Sequence, residues 1–183
     1  MKKVLILAGD AVEAQEIFYP YYRLKEEGFE VKVAGPKKDY LQTVVHDFEP
    51  GWTTYSEKLG YRFTWIDLTF DEVNPEEFDG LVIPGGRAPE YIRLDDNVKR
   101  IVKHFFEVNK PIAAICHGPL LLTAYGLVKD RRMTGYIAIK PDIESAGAEY
   151  VDQEVVTDGN LVTSRAWPDL PFFMKEFIKL LKK

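Results

Sequence analysis

The feature that most restricts the fold is a set of short, unbroken apolar runs, each released at a glycine-bearing turn. Lys3 to Ala8 runs into Gly9-Asp10, Asp79 to Ile83 into Pro84-Gly85-Gly86, and Pro111 to Ile115 into Cys116-His117-Gly118. A strand that is apolar at every position, rather than at alternate ones, needs cover on both faces. That is the condition of a parallel sheet held between helices. The first run is followed by helical spacing from about Val12 to Glu27, closed by Gly28, and then by a second strand from Phe29 to Ala34. This is a βαβ opening, and it predicts an α/β chain. Pro20 falls inside the helical pattern and predicts a kink or interruption near Tyr19.

The stretch from Gly35 to Tyr61 lacks a clear period and reads as a long loop carrying short strands, followed by a strand from about Phe63 to Ile66. A helix is expected from Asp96 to Val108 with Asp95 or Asp96 as its N-cap. A short helix is expected from Ile139 to Ala146. Asp158-Gly159-Asn160 marks a hairpin between Tyr150–Val156 and Leu161–Ser164, and Pro168 opens a terminal helix. No internal repeat or low-complexity linker divides the 183 residues, so one domain spanning 1–183 is expected.

Charge and cysteine usage narrow the function. A net charge of −5 argues against a general nucleic-acid binder, because phosphate neutralisation needs a basic surface. The lysines at the C-terminus (Lys175, Lys179, Lys182, Lys183) read as a solvated helix face. The single cysteine makes no internal disulfide and no multi-cysteine zinc site. The N-terminal apolar run stops at Gly9, too short for a signal-peptide core, and no run reaches the length of a membrane span. The expected compartment is the cytoplasm, with no membrane partner, no metal and no cofactor.

That single cysteine has an unusual setting. Cys116 ends a buried strand, is followed by His117-Gly118-Pro119, and leads into helical spacing from Leu120 to Leu127. A core cysteine needs no sharp turn at its own position; a nucleophile presented on a strand–turn–helix elbow does. The following helix is expected to favour thiolate over thiol. In an open α/β sheet the loops at the carboxyl ends of the strands meet, bringing Gly9–Glu13 and Gly85–Glu90 to Cys116. Glu13 reads in two ways. It completes a capping-box variant if Asp10 caps the helix, or it shares a proton with the sulfur. Glu16, one turn further, reads as a surface or interface residue. An amide of Gly85 or Gly86, with that of His117, suits an oxyanion hole. His46 sits in the long loop where it could border a pocket, and His104 reads as a helix-surface residue.

Taken together, Glu13, Tyr19-Pro20-Tyr21, Phe78-Asp79-Gly80 through Gly86-Arg87-Ala88-Pro89-Glu90, and Ala114-Ile115-Cys116-His117-Gly118-Pro119 resemble the PfpI/ThiJ superfamily over essentially the whole chain. The resemblance implies a flavodoxin-like three-layer sandwich with a mostly parallel sheet, related to class I glutamine amidotransferase domains. The motifs are similar to the archaeal intracellular-protease branch. The long loop, with Val45-His46-Asp47-Phe48 and Thr54-Tyr55, looks more like the plant glyoxalase branch. The resemblance further implies Cys116 as nucleophile, Glu13 as its proton partner, His117 in the catalytic set, and Glu90 reaching a neighbouring subunit's site in a homodimer or homohexamer. Three activities follow as expectations. The first is a glyoxalase III-type enzyme or deglycase acting on a small aldehyde, dicarbonyl or glycated substrate. The others are a cysteine peptidase using Glu90, and a redox sensor or chaperone with an oxidisable cysteine.

Overall fold

The computed structural model describes residues 1–183. The chain opens with β1 (Lys3–Leu7), the two-residue β2 (Val12–Glu13), α1 (Ala14–Glu26) and β3 (Glu30–Gly35). Then come β4 (Leu41–Asp47), β5 (Ser56–Phe63), β6 (Leu68–Thr69) and β7 (Gly80–Ile83). The second half holds α2 (Ala88–Ile92), α3 (Asp96–Glu107), β8 (Ile112–Ile115), α4 (Pro119–Ala124), β9 (Arg132–Met133) and α5 (Lys140–Ser145). It closes with β10 (Glu149–Tyr150), β11 (Val156–Asp158), β12 (Leu161–Ser164) and α6 (Leu170–Leu181).

The main sheet has the order β11-β12-β8-β7-β1-β3-β6, parallel throughout except for the β11–β12 hairpin. The unbroken apolar strands supply two cores at once, because successive side chains leave opposite faces of a strand. Leu5, Leu7, Leu81, Ile83, Ile112 and Ala114 face the core covered by α3 and α4, with Ile101, Phe105 and Leu121. Val4, Ile6, Val82, Ala113 and Ile115 face the other, covered by α1 and α6 with Ile17, Leu24, Phe173 and Phe177. Burying each such aliphatic or aromatic side chain contributes roughly 1.5–3 kcal/mol. This is the three-layer α/β architecture that the apolar runs predict. The Asp95 cap is present, accepting from the amides of Asn97 at 2.7 Å and Val98 at 3.3 Å.

Several local expectations change. The helix α1 runs unbroken through Pro20, which removes one backbone bond without ending the helix, since Ile17, Tyr21 and Leu24 pack it onto the sheet. The region read as a loop is an antiparallel hairpin, β4–β5, with β2 added as a parallel third strand. The strand expected at Phe63–Ile66 ends at Phe63. Tyr150 lies in β10, pairing in parallel with β9, and not in the hairpin that turns at Gly159.

Candidate active site

Cys116 sits at the carboxyl end of β8 with φ 61°, a left-handed conformation rarely adopted by a residue with a Cβ. Such strain costs on the order of 1–3 kcal/mol and persists where the surroundings fix it. Here three backbone bonds do so: Cys116 N–H to the Ser164 carbonyl (3.1 Å), Tyr136 N–H to the Cys116 carbonyl (2.9 Å), and Gly118 N–H to the Ile115 carbonyl (2.8 Å). The turn also brings Gly118 against the Ile83 backbone, where a Cβ would collide. The elbow expected from the Cys-His-Gly-Pro context is therefore present.

The neighbouring loop is packed as closely. Gly86 has φ 71°, and a Cβ there would strike the Ala11 carbonyl and the Glu13 amide. At Gly85 a Cβ would lie 2.6 Å from Cys116 Cβ and 3.0 Å from its sulfur. The two glycines thus let the loop after β7 close over the nucleophile. The amides of Gly86 and His117 both donate to the Cys116 sulfur. The Gly85 amide is not available as an oxyanion donor, because it donates to Glu16 Oε2 at 2.8 Å.

The acid beside the sulfur is Glu16, not Glu13. Glu16 is fully buried, and its carboxyl hydrogen-bonds the Cys116 thiol. The expectation that it lies at the surface is overturned. Glu13 instead caps α1 in an extended conformation, its Oε2 accepting from the Glu16 amide at 2.9 Å. Asp10, the cap expected from sequence, accepts from the Gln42 amide at 2.9 Å. With the helix starting at Ala14, it is Glu16, one turn further on, that meets the sulfur.

Burial, and then the nearby Glu13 carboxyl, push the Glu16 pKa well above the ordinary carboxylate range. Burial raises Glu13 to about 7. Burial, and then the Glu16 charge, also push the Cys116 thiol up. Desolvation therefore outweighs the helix effect anticipated for the cysteine; α4 has six residues and contributes little. Both shifts favour the uncharged forms of Glu16 and Cys116 over the carboxylate and the thiolate. The Glu16 Oε1 atom is buried without a protein hydrogen-bond partner.

His117 places Nδ1 3.3 Å from the Cys116 sulfur, despite being adjacent in sequence. Burial lowers its pKa to about 4, so the imidazole is neutral at pH 7. Above the sulfur lies a cavity of about 50 Å³. Glu13, Glu16, Cys116 and His117 share its wall with His46 and Phe48 of the hairpin region, Tyr55, Tyr136 and Trp167. Glu90 does not line it; it lies on the exposed side of α2, close enough for its charge to act on Tyr55 and Arg87. His104 sits on α3 against Phe105, away from the sulfur. No cluster of three or more His, Cys, Asp or Glu side chains suited to a metal ion occurs.

A family model described as DJ-1/PfpI family matches residues 2–180. The chain belongs to the DJ-1/PfpI family. Among its relatives is the protein named deglycase PfpI of Pyrococcus furiosus, 49% identical over 98% of this chain and 99% of that one. The protein named DJ-1 homolog D of Arabidopsis thaliana is 42% identical over 98% of this chain and 48% of its own length. A solved two-domain structure from Anabaena variabilis, with DJ-1/ThiJ/PfpI-like and ferritin-like domains, superposes with a TM-score of 0.86 at 37% identity. That match covers all of this chain and 48% of the other, so this chain spans about half the length of that structure's chain. The family resemblance and the flavodoxin-like fold inferred from the motifs therefore hold.

Sequence reasoning missed Tyr55, Glu57, Tyr136 and Trp167 in this DJ-1/PfpI site. Tyr55, Tyr136 and Trp167 come from three distant segments that only the fold brings to one cavity, and Glu57 is placed by the β4–β5 pairing. His46 was visible as a candidate; its position opposite Glu57 was not.

Proposed function

We propose that this chain is a cysteine-dependent deglycase and glutathione-independent glyoxalase, acting on small dicarbonyls and on their adducts with amino groups. The observation that carries the reading is a strained cysteine with a buried carboxyl and two amides at its sulfur, opening on a cavity sized for a few heavy atoms. The 49% identity to a relative named a deglycase supports it.

The chemistry follows from the resting protonation. Cys116 sulfur bonds to the aldehyde carbon of methylglyoxal or glyoxal. The carbonyl oxygen takes the Glu16 proton and the thiol proton passes to Glu16, so S–H adds across C=O and a hemithioacetal forms. The Gly86 and His117 amides steady the oxygen as its charge grows. With an amine adduct, sulfur displaces the amine at the same carbon and the amine leaves protonated. Rearrangement to a thioester and hydrolysis release lactate or glycolate.

Glu16 takes the role first given to Glu13, which acts in this reading as cap and neighbour. His117 stays neutral in this reading and holds the sulfur in place through its Nδ1 contact. The chain acts as one domain, residues 1–183, in the cytoplasm; no helix is long and apolar enough to cross a membrane. It assembles as a homodimer or homohexamer, supported by the exposed Tyr22, Leu59, Tyr61 and Trp65 grouped on α1, β5 and the segment after it.

The test is turnover of methylglyoxal to lactate without glutathione, and release of free amine from a methylglyoxal-treated peptide. Cys116→Ala is expected to abolish both, and Glu16→Gln to lower both by about 10²–10⁴-fold. Full activity in Cys116→Ala sinks the proposal. The peptidase alternative draws on Glu90 standing near Tyr55 at the cavity mouth. Peptide cleavage lost in Glu90→Ala, with dicarbonyl turnover absent, would establish it instead. Selective addition of two oxygens at Cys116 with no turnover of any substrate would establish the redox role.

A further inference from the structure

The cavity wall holds a second group able to carry a proton, on the β4–β5 hairpin. His46 is buried on β4 and places Nε2 2.8 Å from Glu57 Oε2 on the paired strand β5. Glu57 is in turn gripped by Arg87, whose Nε and Nη2 reach its two oxygens at 2.8–3.0 Å. Arg87 follows Gly86, so this chain of contacts begins in the loop that closes over the sulfur. The Trp167 indole donates to the His46 carbonyl at 3.2 Å and fixes the backbone, and the Tyr55 ring lies 4.3 Å from the imidazole, centroid to centroid. A carboxylate only accepts, so Nε2 carries the hydrogen and Nδ1 keeps a free lone pair.

We propose that His46, oriented by Glu57 and Arg87, is the base that moves the carbon-bound proton of the hemithioacetal. The proposal rests on the glyoxalase and deglycase reading above. That reaction needs two proton carriers. One serves oxygen, and Glu16 is placed for it. The other must take hydrogen from the aldehyde-derived carbon and return it to the neighbouring carbon. Glu16 is occupied with the oxygens, giving a proton to one and taking it back from the other. His117 has its Nδ1 on the sulfur, and burial opposes an imidazolium there. His46 lines the same cavity and has the Glu57 carboxylate in contact at Nε2, at 2.8 Å.

The step balances internally. His46 Nδ1 takes the C1 hydrogen, and its bonding pair becomes the C1=C2 bond of an enediol as the C2 oxygen takes a proton from Glu16. His46 then delivers its proton to C2, and the C1 hydroxyl proton returns to Glu16, leaving a thioester. C1 is oxidised and C2 reduced, with no outside oxidant. Water then cleaves the S–C1 bond and restores the thiol.

The experiment measures steady-state methylglyoxal turnover and iodoacetamide alkylation of Cys116 in wild type, His46→Gln, His46→Ala and Glu57→Gln. His46→Gln is expected to lower kcat by about 10²–10⁴-fold with KM nearly unchanged. Alkylation of Cys116 should proceed as in wild type. Imidazole added to His46→Ala should restore part of the rate, which a merely structural role would not allow. Glu57→Gln keeps a hydrogen bond but removes the charge, and should lose about 10-fold or more. A kcat within about twofold of wild type in His46→Gln overturns the inference, and so does a loss that imidazole fails to relieve while Glu57→Gln stays fully active. An inactive wild type defeats the functional reading itself, and the inference with it.

Discussion

Two regions wall the same cavity and are built on opposite principles. The elbow side, formed by Ala11, Gly86, Cys116 and Gly118, is a matter of backbone. Two of its four residues, Ala11 and Cys116, have side chains yet hold φ near +60°, and its glycines sit where a Cβ has no room. The hairpin side, β4 and β5, is a matter of side chains: His46 and Glu57 joined by a hydrogen bond, with Arg87 reaching across from the loop after β7 and Tyr55 tilted against the imidazole. Steric requirements on the backbone admit few residue types. A polar relay on a partly exposed hairpin admits many. In the proposed reaction, one side would fix where the chemistry happens, and the other would set how protons move and what enters.

The comparison breaks most visibly at Gly86. Gly86→Ala places a Cβ against the Ala11 carbonyl in a left-handed backbone. It should destabilise the protein by about 3 kcal/mol or more and abolish turnover, read by urea denaturation and lactate assay. A neutral outcome would mean the elbow is more pliant than its geometry states.

pH separates the two sides with opposite signs. Burial raises Glu13 from its ordinary value near 4.5 to about 7. Its contribution is fully present below pH 4.5 and is lost as pH rises through 7, a change of about 3 kcal/mol. Glu57, held by Arg87 and then His46, is lowered to about 2. Its contribution is present above pH 4.5 and is lost as pH falls toward 2. Denaturation curves at pH 5 and pH 9 should show a decline on the alkaline side that Glu13→Gln flattens. An unchanged slope in that variant would place the titrating group elsewhere.

The smallest stability effect belongs to Arg87→Ala. This half-exposed ion pair is worth about 0.2–1 kcal/mol to the fold, yet its loss should lower turnover several-fold by releasing Glu57. A large drop in Tm with normal kcat would reverse the assignment of the two sides.

The same contrast decides what the sequence reveals. The elbow is legible because Cys116-His117-Gly118-Pro119 after an apolar run, and Gly85-Gly86 after another, have few structural explanations. Glu13 and Glu16 were exchanged because helix periodicity does not say where a helix begins. Here the start is set by Val12–Glu13 pairing with Thr43–Val44, a contact between distant segments. The hairpin was hidden for a related reason. Its pairing shifts register between Gln42 and Val44, and its exposed face, with Leu59 and Tyr61, masks the alternation a strand normally shows. Pro20 does not interrupt α1, since packing of Ile17, Tyr21 and Leu24 outweighs one missing backbone bond.

Under the proposed deglycase reading, the narrowness of the chamber over Cys116 would act as a sieve on what can be repaired. A lesion would have to arrive at the tip of a slender, mobile arm, as on the end of a lysine or arginine, with its carrier remaining outside. A modified group lying flat on a folded surface would stay beyond the reach of the sulfur until its host unfolds or frays.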